Sequence, residues 1–152
     1  YFLPVNDKII PMGEFMPVKN TPFDFTSFHK IGERIDAADK QLVYGSGYDH
    51  TYVLEKNHTP VLKEAAVIAE PESKRCLKVS TTEPGIHLYT GNYLNENYRG
   101  KQNILFRQRG GVCLETQHFG DSPNKPQFPA TWLHPGEKFY SKTVFEFSVI
   151  GE

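Results

Sequence analysis

Thr143-Val144-Phe145-Glu146-Phe147-Ser148-Val149-Ile150 reads TVFEFSVI, and it sets the terms for the rest of the chain. Phe145, Phe147 and Val149 fall on one face of an extended backbone, with Glu146 and Ser148 on the other. A period of two with aromatic and β-branched residues is the signature of a β-strand. Working back from it, Val112-Cys113-Leu114-Glu115-Thr116-Gln117 opens from Gly110-Gly111 and reads as a strand. Ile86-His87-Leu88-Tyr89-Thr90 follows Pro84-Gly85 and reads as another, and Cys76-Leu77-Lys78-Val79-Ser80-Thr81 alternates in the same way. Val61 to Glu70 (VLKEAAVIAE) carries helix-forming Ala and Glu, yet only about ten residues separate its flanking turns, so it is assigned as a strand. Pro71 to Lys74 is then a hairpin turn. Short strands at turn-bounded spacing indicate an all-β sandwich or barrel.

The segment before these strands is punctuated differently. Pro4, Pro11, Pro17 and Pro22 each remove a backbone donor, which excludes a long helix or a central strand over residues 1–22. Short extended pieces are expected around Ile9-Ile10 and at Phe15-Met16-Pro17-Val18. Thr26 to Ile35 is expected to hold one or two helical turns, with Thr26 or Ser27 as N-cap. The chain opens Tyr1-Phe2-Leu3-Pro4, which reads like the middle of a longer product and assigns no compartment. Asn57-His58-Thr59 matches a glycosylation sequon.

Composition narrows the function classes. In 152 residues, 17 Lys+Arg against 18 Asp+Glu leave a formal net charge of −1, so no basic excess argues for nucleic acid. No apolar run approaches the roughly 18–20 residues of a membrane helix. Cys76 and Cys113 are too few for a disulfide framework, and none of the six histidines sits at metal-ligand spacing. P-loop, dinucleotide and nucleophile-elbow motifs are absent.

Polar residues inside buryable strands are the remaining chemistry. Cys113, Glu115 and Gln117 share one strand face. A carboxylate there is either solvated on an exposed face or, if buried, in need of a partner. Asp49 and His50 sit beside a glycine in Gly47-Tyr48-Asp49-His50, where an Asp capping its own turn is the plain alternative to a ligand contact. His87 lies between Ile86 and Leu88 and faces away from both; a satisfied structural histidine is the plain alternative.

The motifs resemble, in order, the C-terminal half of the aldose 1-epimerase (galactose mutarotase) family. They are Pro11-Met12-Gly13-Glu14, Thr21-Pro22-Phe23-Asp24-Phe25, Gly47-Tyr48-Asp49-His50 and Pro84-Gly85-Ile86-His87-Leu88-Tyr89-Thr90-Gly91-Asn92. Gly111-Val112-Cys113-Leu114-Glu115-Thr116-Gln117-His118-Phe119, Asp121-Ser122-Pro123-Asn124, Phe128-Pro129 and Leu133-His134-Pro135-Gly136-Glu137 complete the series. Each motif is weak alone, and the ordered set is specific. The resemblance implies that residues 1–152 form the C-terminal part of one large antiparallel β-sandwich, the galactose mutarotase-like supersandwich, with a complementary N-terminal half as partner. It implies interconversion of the α and β anomers of a free aldose such as galactose or glucose, without a cofactor. Glu115 matches the family's general base and Asp49 the carboxylate that holds a sugar hydroxyl. His87 stands where the family usually has Gln, and it can still hydrogen-bond a sugar. The family's ring-oxygen acid, a second His and an Arg belong to its N-terminal half, which no stretch here matches. A non-catalytic carbohydrate-binding relative is the alternative; Glu115 favours the enzyme, because a binder needs no anomeric base.

Overall fold

In the computed structural model, residues 1–57 and 59–150 are described; His58, the middle of the Asn57-His58-Thr59 sequon, lies outside them. Among the described residues six strands form two three-stranded sheets, with little helix. Strands β1 (Asp49–Val53), β4 (Gly85–Tyr89) and β5 (Cys113–Gln117) make one sheet in the order β1-β4-β5. Strands β2 (Lys63–Ala69), β3 (Arg75–Thr81) and β6 (Thr143–Val149) make the other, in the order β2-β3-β6. The fold class is all-β, as the alternating stretches indicated. Contacts divide the chain into two units, one of Tyr1–Val53 with His87–Glu115, the other of Leu54–Ile86 with the chain from Thr116 onward.

The first unit is built around aromatic side chains. Phe2 stacks on Phe23 with ring centroids 4.2 Å apart, and Phe23 meets Tyr48 edge-on at 5.5 Å. Ile35, Leu42 and Leu88 close this cluster, and Leu114 packs against it. Each such side chain, fully buried, is worth about 1.5–3 kcal/mol. The Tyr48 hydroxyl would be costly to bury unpaired; it donates to the Pro22 carbonyl at 2.9 Å. The proline-punctuated N-terminus makes isolated bridges, Phe2 with Met16 and Tyr52, and Val5 with Pro11. Gln41 holds it from the other side, its amide clamping both Val5 N–H and C=O at 2.7 and 2.9 Å.

One of the helical turns expected over Thr26 to Ile35 forms, a 3-10 turn at Ile31–Glu33 entered from an extended Lys30, but the expected cap needs correction. Thr26 is not an N-cap, because its own N–H and hydroxyl both donate to the Asp24 carboxylate, at 3.1 and 2.6 Å. That local bond competes with helix initiation. The α-helix that does form, α1 (Lys40–Gly45), starts later, with Asp39 as N-cap accepting from Gln41 N–H at 2.8 Å.

The second unit confirms the hairpin. β2 and β3 run antiparallel, and the Glu70 carboxylate closes their turn by accepting from the N–H groups of Glu72 and Ser73. Hydrogen bonding from the Ser73 side chain first, then from the Ser73 and Glu72 N–H groups, holds its carboxyl below the usual range. Ladder pairing here overrides the helix propensity of KEAAVIA. β6 pairs antiparallel with β3, placing Phe145 opposite Val79 and Phe147 opposite Leu77. With Ile68 opposite Leu77, one sheet face is apolar across three strands. It is not covered along β6: Phe147 is 77% exposed and Phe145 52%. No helix among the described residues is long and apolar enough to cross a membrane.

Candidate functional site

The turn that delivers β1 is held by its backbone conformation and by one buried side chain. Ser46, in the left-handed region at φ 54°, ends α1, and Gly47 follows at φ +136°. A Cβ on Gly47 would sit 2.4 Å from Asn92 Oδ1. Asn92 is buried, and its amide donates to the carbonyls of Gly45 and Tyr48 at 2.8 and 2.9 Å, while the Thr90 hydroxyl donates to its Oδ1 at 2.6 Å. One side chain thus ties the end of α1 to the start of β1. Gly47→Ala combines positive φ with this clash, and it is expected to lower unfolding free energy by about 1–3 kcal/mol. Urea denaturation checks this; an unchanged midpoint would contradict it.

Asp49 therefore opens β1 and does not cap its own turn. Its Oδ1 lies 2.8 Å from His87 Nε2 on β4, and His87 Nδ1 lies 2.9 Å from Thr51 Oγ1, two residues along β1. Asp49 and His87 keep only 16% and 20% of their side-chain surface exposed. Glu115 lies on β5. Its neighbour Leu114 packs into the same core cluster as Leu88, the neighbour of His87. Alternation then puts Glu115 and His87 on the sheet face opposite that core, with Asp49 and Thr51. The three sequence-derived residues thus occupy one face of β1-β4-β5, one on each strand. Glu115 is exposed, which answers the choice left open by its sequence position.

Two aromatic residues near this face were not singled out from sequence. Tyr89 stacks with Tyr93 at 6.1 Å and 21° between ring planes, and Tyr93 N–H donates to the Tyr89 hydroxyl oxygen at 3.1 Å. Partial burial raises the Tyr93 pKa, with the nearby Asp49 charge and Tyr89 adding to the shift. Thr51 was also missed; its signal was its position two residues after Asp49, visible only once residues 49–53 are recognised as a strand.

His50 points the other way, into the core, edge-on to Phe23 at 4.7 Å, and its Nδ1 accepts from Asp49 N–H at 3.1 Å. Burial pushes its pKa from 6.5 down to about 4, outweighing the opposing pull of Asp49. It is therefore a neutral structural imidazole, not an acid poised near neutrality. The sign of its effect on stability follows. The unfolded chain binds this proton more tightly, so His50's contribution is full above about pH 6.5. It falls by about 1.4 kcal/mol per pH unit as pH drops toward about 4. Denaturation midpoints measured across that range should decline less steeply in His50→Gln; equal slopes would contradict the assignment.

The family model described as Aldose 1-epimerase matches residues 1–146. The chain is 38% identical over 148 residues to galactose mutarotase of Mus musculus, covering 97% of this chain and 41% of that protein. It is 36% identical over 149 residues to aldose 1-epimerase of Escherichia coli, covering 96% and 42%. The solved structure of an aldose epimerase homologue from C. elegans superposes with a TM-score of 0.79 at 28% identity, over 97% of this chain and 43% of that one. The chain thus spans less than half the length of the relatives it matches, in their C-terminal part. On a match running through nearly every residue of its two sheets, the chain belongs to the aldose 1-epimerase family.

Proposed function

We propose that this chain is the C-terminal part of an aldose 1-epimerase that interconverts the α and β anomers of free hexoses such as galactose or glucose. The observation that carries the reading is the placement of Asp49, His87 and Glu115 on one sheet face of a chain in this family. In the proposed mechanism Glu115 takes the proton from the anomeric hydroxyl. As the C1–O1 bond becomes a carbonyl, the C1–O5 bond breaks, and an acid supplies the proton to O5. Rotation about C1–C2 and reclosure return the other anomer, so no electrons or atoms are gained or lost. Glu115 suits the base because it is exposed and ionisable, and its strand is anchored by Leu114 below. Asp49 and His87 hold sugar hydroxyls, a carboxylate being an acceptor for several at once. The acid at O5 comes from a complementary N-terminal part of the same fold, which also covers the apolar face of β6.

Asp49→Asn tests the binding role. It keeps one carbonyl acceptor and loses the charge, and losing a charge-assisted hydrogen bond costs roughly 1.5–3 kcal/mol. In the full-length protein, kcat/KM for mutarotation should fall about 10- to 150-fold. Unchanged KM and kcat would remove Asp49 from the site. A sugar-binding protein with no turnover, in native and variant forms alike, would favour the binding-module alternative.

A further inference from the structure

We infer that Thr51 is a positioning residue that holds the His87 ring in place and, through it, aims Asp49 at substrate. The inference rests on the reading of Asp49 as the carboxylate that holds a sugar hydroxyl. Asp49 Oδ1 is 2.8 Å from His87 Nε2. An ionised carboxylate only accepts, so Nε2 must carry a proton and donate. In a neutral imidazole the other nitrogen, Nδ1, is then a bare acceptor. The group facing it is the Thr51 hydroxyl at 2.9 Å, which donates. The chain of donors runs one way, from Thr51 Oγ1 to His87 Nδ1 and from His87 Nε2 to Asp49 Oδ1.

The strand geometry suits the task. Residues two apart on a strand lie about 6.6 Å from each other and point to the same face. An imidazole with one hydrogen bond at each end spans that gap, so β1 holds both ends of the bridge and β4 supplies the middle. Thr51 is buried and β-branched, hence stiff at χ1, which fixes where its hydroxyl points. These bonds engage Asp49 Oδ1 alone, and Oδ2 takes part in none of them. The result is a carboxylate with one oxygen anchored and the other outside the bridge. Of the other ionisable groups around the pair, Tyr93 and Glu115 belong to the exposed face and His50 to the core beneath it. His50 already uses its Nδ1 on Asp49 N–H and does not compete for the side chain.

The test uses full-length protein labelled with 15N histidine, with the His87 resonances assigned by their loss in His87→Gln. At about pH 8 the native spectrum should show His87 protonated at Nε2 and bare at Nδ1, a neutral histidine having one donor and one acceptor nitrogen. A proton on Nδ1, in the other tautomer or in an imidazolium, overturns the proposal without any Thr51 variant. Thr51→Val, nearly isosteric, should keep the proton on Nε2, shift the Nδ1 resonance as its hydrogen bond is lost, and raise KM about 3- to 10-fold while kcat changes less than about 2-fold, the loss of one neutral hydrogen bond felt in binding. Thr51→Ser, which keeps the hydroxyl, should recover most of both. A native KM or an unmoved Nδ1 resonance in Thr51→Val refutes the positioning role. Native KM and kcat in Asp49→Asn refute the sugar-holding role of Asp49 instead, while the tautomer spectrum still decides whether the bridge exists.

Discussion

Glu115→Gln in the full-length protein lowers kcat for mutarotation by about 10²–10⁴-fold, the usual contribution of a general base. Glutamine keeps the shape and polarity of glutamate but cannot take the anomeric proton. Because Glu115 is exposed and on the face away from the core, the substitution removes no packing. The melting temperature should stay within a degree or two of native, since surface changes typically move stability by no more than about 0.5 kcal/mol. KM should change little, because the lost interaction develops only in the transition state. A kcat near native would remove Glu115 from the mechanism, whatever its effect on binding.

Residues 1–152 expressed alone are expected to lose mutarotation and to self-associate; supplying the complementary N-terminal part in trans should restore the activity and suppress the association. The sheet of β2, β3 and β6 ends on a long edge strand carrying Phe145 and Phe147 on its apolar face. Trp132 and Phe139, in the same unit, are 69% and 68% exposed. An unpaired edge recruits other strands, and a contiguous apolar surface promotes association. Without an acid at O5, ring opening lacks its second proton transfer, again worth about 10²–10⁴-fold. Sedimentation and polarimetry of the two samples check this. A monodisperse, fully active monomer from residues 1–152 would contradict it and require the acid to be one of this chain's own histidines.

Much of the fold was legible because strand patterns are local. β3 to β6 each alternate between turn residues, and the structure returns them within a residue or so of their sequence limits. β2 was legible only by length, since its Ala and Glu content argued for helix. The five residues of β1 were not seen as a strand, because Gly47 drew the reading of Asp49 and His50 toward the turn before it. α1 escaped because six residues are too few to display helical periodicity; its signal was Asp39 as N-cap. In Thr26 to Ile35 the wrong cap was chosen, because Asp24 reaches Thr26 first. Asp49, His87 and Glu115 were identified one at a time from motifs. That they share a face depends on the strand order β1-β4-β5, which is long-range information that no periodicity carries. Thr51 was invisible for the same reason: its partner is thirty-six residues away.

Mutarotation with Glu115 as base is tested most directly by polarimetry of full-length protein mixed with freshly dissolved α-galactose, followed beside a buffer blank and a Glu115→Gln sample. The native protein is expected to bring the optical rotation to its equilibrium value far faster than buffer, in proportion to enzyme concentration, with the variant close to the blank. Native protein that tracks the blank with both galactose and glucose, or a Glu115→Gln sample that tracks the native, would contradict it.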